Sequence, residues 1–196
     1  MAILQVAQLG NPILHKKAIP VPLESIKSPE IQQLIDDMIE TLKEEDGVGL
    51  ASPQVFANKQ IFIMKCNAQR KGRGIRIPLT VVINPKLLSK STDQELDWEG
   101  CLSISGGTIR GIVPRASEIE FEAYDRNGEK FIMKASSFKA RIIQHEWDHL
   151  NGIIFFERMR AIDLKHLTTI KNWVQFYRTK WNGPRKLSKS KKTDRM

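Results

Sequence analysis

The chain has 196 residues, 41% apolar and 27% charged, which suits one domain with a self-sufficient core and excludes a wholly disordered polymer. Its longest apolar runs are about five residues, against the roughly 18 that a membrane helix needs, and the opening MAILQVAQLGNPIL lacks the basic leader of a secretory signal. The net charge is +9, but residues 178–196 carry eight basic residues and one acid, so +7 sits in that segment and the rest is nearly neutral.

In chain order, the first strong helix is predicted over residues 29–45. Ser28 is a suitable N-cap and Pro29 fits the first helical position. Ile31, Leu34, Ile35, Met38, Ile39 and Leu42 fall on one face, and Gly47 can end the element. A glycine-bearing stretch follows, Gly47 to Gln54. Strands are predicted near residues 60–65 and 80–84, separated by a polar, basic loop over 67–77. Residues 118–135 alternate, with Ile119, Phe121 and Ala123 on one side and Glu118, Glu120 and Glu122 on the other, and Asn127-Gly128 supplies a hairpin turn.

A second helix is predicted over 138–150, capped by Ser136 or Ser137 and stopped by Gly152. A third is expected after Asp163, with Leu167, Ile170, Val174, Tyr177 and Trp181 on its apolar face. Beyond Gly183-Pro184 the Lys/Ser/Arg tail is expected to be disordered. Strands with helices segregated around them make an α+β domain.

The second helix contains His145-Glu146-Trp147-Asp148-His149. Residues four apart share a helical face, so the two imidazoles can bind one metal ion, with the intervening glutamate beside a water on it. Two solvated histidines are the bland alternative. Against it, His145 and His149 continue the stripe of Phe138 and Ile142, where unsatisfied polar rings would be costly. A catalytic site of this type takes three protein ligands. Candidates for the third are Cys101, Cys66, Asp148, Glu157 and His166. Cys101 leads, because it stands in the short glycine-bearing turn Glu99-Gly100-Cys101-Leu102-Ser103, where a thiolate has reach. Cys66, at a strand end, reads as a small core residue. Two thiols without an export signal make no disulfide framework, and a reducing compartment is the default.

Three segments resemble the signatures of peptide deformylases. GVGLASPQ (Gly47–Gln54) resembles GxGLAAxQ, EGCLS (Glu99–Ser103) is similar to EGCLS, and QHEWDHL (Gln144–Leu150) is similar to QHExDHL. The opening LGNPILHKKAIPV also resembles the family's start, and the likeness runs in order over roughly residues 3–175. The resemblance implies mixed or antiparallel sheets packed around a central HExxH-bearing helix, with an N-terminal and a C-terminal helix. It divides the chain into a deformylase domain over 1–182 and a basic tail over 183–196.

The resemblance also implies that Cys101, His145 and His149 hold one divalent ion per chain, Fe(II) by family habit, with zinc, nickel or cobalt able to replace it. The substrate would be the formyl-methionyl end of new polypeptides, and the products formate and a free amino terminus. Glu146 would be the general base. The Gln54 side-chain amide and the Leu102 backbone N–H would stabilise the oxyanion. Gly47 and Gly49 would let the backbone lie close to the peptide. Val48, Phe138 and Ile142 would line the methionine pocket. Arg141 would pair with Glu99 to brace two motifs beside the substrate, and Arg110 would help hold the peptide main chain. Ser52 stands where the family has a second alanine. Ser105 replaces a usual proline, and Gly106-Gly107-Thr108 makes that segment about two residues longer. The expected partners are nascent peptides and, through residues 163–196, the ribosome surface, with no membrane and no disulfide partner. The expected compartment is the cytosol. A zinc endopeptidase is the rival enzyme and would need a third His or Glu ligand in place of Cys101. A nucleic-acid-binding or ribosome-binding module is the rival of another class, resting on the basic tail.

Overall fold

The computed structural model describes residues 2–67, 75–169 and 184–186. The fold is α+β, with two α-helices and two antiparallel sheets among the described residues. The first helix, α1, spans Pro29–Glu44, with the Ser28 hydroxyl accepting from the Ile31 N–H as the sequence predicts. It buries Ile31, Ile35, Met38 and Leu42. Strands β1 (Gly49–Ala51), β2 (Ile61–Cys66), β3 (Ile77–Lys90), β6 (Glu118–Tyr124) and β7 (Lys130–Ser136) form a five-stranded sheet in the order β1-β2-β3-β6-β7. Strands β4 (Gln94–Gly100) and β5 (Ile109–Ala116) form the middle of a second sheet, edged by two-residue strands β8 (Thr168–Thr169) and β9 (Arg185–Lys186).

The run Ile61-Phe62-Ile63-Met64 is apolar throughout because β2 is covered on both faces. Phe62 and Met64 join the core facing the second helix, α2 (Ser137–Leu150), with Phe121, Ala135, Ile142 and Ile143. Ile61 and Ile63 join the core facing α1 with Ile35, Met38 and Leu42. Alternation along a strand sends successive side chains to opposite faces, so one strand serves both cores. Helix α2 touches β1, β2, β6 and β7 of the first sheet and β5 of the second. Gly152 follows it at φ +70, where a side chain would run into the backbone of His15. An extended N-terminal segment crosses the front of the domain: the Ala7 N–H donates to the Gln54 carbonyl at 2.7 Å, and the Leu9 N–H to the Ser103 carbonyl at 2.7 Å.

Several expectations are corrected. β3 runs beyond residue 84 despite Pro85, because Asn84 adopts φ 50 and the register to β6 shifts between Ile83 and Lys86. The irregularity takes up the missing proline donor. Ser136 is the N-cap of α2, one of the two serines the sequence offers, but its side chain makes no capping hydrogen bond; the Ser137 N–H donates to the Ser117 carbonyl. Among the described residues no α-helix starts between Asp163 and Thr169: residues Ala161–His166 form a 3₁₀ turn, and Thr168–Thr169 pair with β5. The rest of the expected third helix, most of the 67–77 loop and most of the tail lie outside the described residues; within the tail, Arg185–Lys186 pair with β4. No helix among the described residues is long and apolar enough to cross a membrane.

Candidate metal centre

Cys101 lies just past the end of β4, and His145 and His149 lie one turn apart on α2. Their ligand atoms all fall within 4.8 Å of one another, and all three residues are buried. The Cys101 sulfur is 3.1 Å from His149 Nε2. His145 Nδ1 is 2.9 Å from Glu99 Oε2, which leaves its Nε2 to face the cysteine. Of the other proposed third ligands, Asp148, Glu157 and Cys66 are used elsewhere or lie outside the group, and the His166 side chain lies outside what the structure describes. Asp148 is ion-paired with Arg115 and Arg158. Glu157 accepts from the Ile154 N–H at 2.8 Å. Cys66 belongs to the core packed against α2.

The electrostatics fit a cation at this point. Burial alone would raise the Cys101 thiol, but the facing His149 and His145 outweigh it and hold the thiol at about 5. Burial would likewise lower His145, yet its bonds to Cys101 and Glu99 hold it well above the ordinary imidazole value. A thiolate and two imidazoles form a donor set suited to borderline-soft divalent ions. His149 Nδ1 and Glu146 Oε2 are buried without a protein partner, and such atoms are rare unless a ligand, ion or water completes them. Burial pushes the Glu146 carboxyl up to about 7, against the opposing pull of His145 and His149.

Glu146 points across to β1. A Cβ on Gly49 would fall on its Oε1 and come within 2.7 Å of its Cδ, so only glycine leaves the carboxylate its place. Gln54, in the 3₁₀ turn Ser52–Val55, accepts from the Ala51 N–H at 2.9 Å. Its Nε2 faces the Cys101 sulfur at 3.4 Å and the Ser103 hydroxyl at 3.1 Å.

A cavity of about 280 Å³ opens here, lined among others by Val48, Gly49, Leu102, Arg110, Phe138 and Ile142. The Gly106-Gly107-Thr108 segment, with glycine φ values of 58 and 73, forms part of its wall. Glu99 and Arg141 also reach this wall, with Arg141 Nη1 donating to Glu99 Oε1 at 2.8 Å. Arg141 further donates to the carbonyls of Val113 at 2.8 Å and Glu95 at 2.7 Å. Sequence reasoning missed Arg115, which donates to both Glu99 oxygens, and Ser103, which orients Gln54. Arg115 sits in IVPRA, a segment without strand-like alternation, so nothing in the sequence marked it.

Comparison with known proteins agrees over most of the chain. The family model for polypeptide deformylase matches residues 3–165. A protein named peptide deformylase 2 from Nostoc sp. is 44% identical over 160 residues, covering 81% of this chain and 87% of the relative. One named peptide deformylase from Desulfitobacterium hafniense is 40% identical over 160 residues, covering 82% of this chain and 97% of the relative. Among solved structures, the actinonin-bound class I type b peptide deformylase from Acinetobacter baumannii superposes with a TM-score of 0.74 at 38% identity, covering 82% of this chain and 100% of that one. The same enzyme bound to Met-Ala-Ser gives a TM-score of 0.75 at 37% identity, covering 81% of this chain and 100% of that one.

Proposed function

This chain belongs to the polypeptide deformylase family, and from that membership we infer that it is a metal-dependent hydrolase removing the formyl group from formyl-methionyl nascent polypeptides. The observation that carries the assignment is the convergence of one buried sulfur and two buried imidazoles beside the Glu146 carboxylate.

Cys101, His145 and His149 hold one divalent ion per chain; Fe(II) is the native assignment, with zinc, nickel or cobalt as substitutes. When bound, the ion polarises the formyl oxygen and lowers the pKa of water. Glu146 takes a proton from the attacking water and gives one to the amine nitrogen as the C–N bond breaks, so that formate leaves with the new oxygen. Its unpartnered Oε2 supports that role. Gln54 Nε2 and the Leu102 N–H donate to the oxyanion, and the bonds to Ala51 and Ser103 keep the Gln54 amide aimed. Val48, Phe138 and Ile142 receive the methionine side chain, Gly49 gives the peptide backbone room, and Arg110 steadies the peptide main chain. Glu99 and Arg141 turn their charges on each other and brace the wall. Helix α2 is the element around which both sheets are organised, within a catalytic domain over residues 1–182.

The deciding assay is formate release from a formyl-Met peptide by anaerobically purified protein, with elemental analysis, beside a Glu146→Ala variant. Turnover with iron present and loss of turnover in the variant are expected. A wild-type chain that binds no metal and releases no formate overturns the reading. The basic segment over 163–196 serves as an accessory anchor on ribosomes in the cytosol. Removing residues after Trp181 should abolish salt-sensitive co-sedimentation with ribosomes; undiminished retention refutes the anchor.

A further inference from the structure

We propose that Arg115 is a positioning residue of the metal centre, tying the strand that leads to Cys101 to the helix that carries both histidines. The inference rests on the metal reading above and extends it to residues that touch neither ion nor substrate.

Arg115 is 5% exposed and stands on β5 between two carboxylates from different elements. Its Nε donates to Glu99 Oε1 at 2.9 Å and its Nη2 to Glu99 Oε2 at 3.0 Å. Its Nη1 donates to Asp148 Oδ2. Glu99 is two residues from Cys101 and holds His145 Nδ1, while Asp148 is the neighbour of His149. One guanidinium therefore connects the surroundings of all three donors. The planar fork fixes direction as well as distance, which an ammonium does not.

Each carboxylate also has a second arginine: Arg141 on Glu99 at 2.8 Å, and Arg158 on Asp148 at 2.7 and 3.1 Å. Removing Arg115 thus leaves neither acid without a cation. What is lost is the link between them. Buried ion pairs of this kind add little net stability but favour one geometry over others. Partners that orient metal ligands typically set affinity by about 10–100-fold.

The test uses cobalt-loaded full-length protein, following the sulfur-to-cobalt absorption band and the rate of cobalt loss to a chelator. Wild type is expected to show the band; its absence overturns the metal reading itself. In Arg115→Gln the band is expected to shift and cobalt to leave about tenfold faster or more, with Arg115→Lys recovering only part of the loss. An unchanged band and release rate in a folded Arg115→Gln protein overturn the proposal, whatever the melting temperature does. If that variant fails to fold, Asp148→Asn, which removes the charged partner of Arg115 Nη1 on α2, is expected to speed release about tenfold, the low end of such effects. A rate equal to wild type in that folded variant overturns the proposal equally.

Discussion

Gly49→Ala tests the placement of Glu146 with a single methyl group. The added Cβ would overlap Glu146 Oε1 and stand 2.7 Å from Cδ and 2.9 Å from Cγ. Real Cβ atoms essentially never come closer than 3.0 Å to a neighbour, so the carboxylate has to retreat by roughly an ångström, a displacement that can cost about a hundredfold in rate. Backbone conformation is not the issue, since Gly49 is a strand residue without positive φ. Crowding a packed site should lower stability by about 1–3 kcal/mol. The expected result is kcat down by about two orders of magnitude, with bound metal unchanged and KM within a few-fold. Formate release, elemental analysis and thermal melting read the three quantities separately. A variant that keeps its metal and retains more than a third of the wild-type rate would show that the Glu146 carboxylate does not act from where the structure places it.

Cys101→Ser is expected to lose or sharply weaken metal binding, measured by elemental analysis after dialysis; full metal content and activity would eliminate the sulfur as a ligand. Gln54→Ala should lower kcat by about a hundredfold or more, as loss of one oxyanion donor does, with metal content retained; an unchanged kcat would remove the amide from the reaction. For Glu99, burial would raise the carboxyl, but Arg115, hydrogen bonds from His145 and Arg115, and Arg141 hold it well below its ordinary range. Its contribution to stability is therefore complete above the unfolded value of about 4.3 and disappears as pH falls through the lower folded value. Melting temperatures should be flat with respect to this group above about pH 5 and fall in stronger acid; a curve without that acid limb would contradict the assigned pairing. Phe138→Ala should raise KM for a formyl-Met peptide several-fold more than it lowers kcat, and the reverse split would place the ring outside the side-chain pocket.

The parts legible in the sequence were those with strong local signals. Helix α1 has a cap, a proline and one apolar face, and tertiary packing only had to agree with them. The β6–β7 hairpin announced itself through alternation around Asn127-Gly128. The HEWDH spacing brings two imidazoles to one face whatever else the chain does. Less legible was whatever depends on partners far along the chain. The β4–β5 ladder joins Glu99 to Gly111 and Gly100 to Arg110 through a segment rich in glycine and charge, which carries little strand pattern. Arg115 carries no signal of its own until β4 and α2 close around it. Asn84-Pro85 reads as a stop, yet the Asn84 side chain exchanges hydrogen bonds with the Val21 backbone and the strand resumes beyond it. Between Asp163 and Thr169 the chain makes a 3₁₀ turn and a sheet edge, and the rest of the amphipathic pattern lies outside the described residues.

The bonds from residues 7 and 9 to residues 54 and 103 bear on the timing of assembly. Segments about fifty and ninety positions apart have to meet before the centre is enclosed, and contacts of that span form late and slowly. The order of synthesis delays it further, because the sulfur-bearing turn leaves the ribosome before either imidazole has been made. Gln54 and Ser103, whose side chains face each other beside the sulfur, therefore depend on the first ten residues for their final seating.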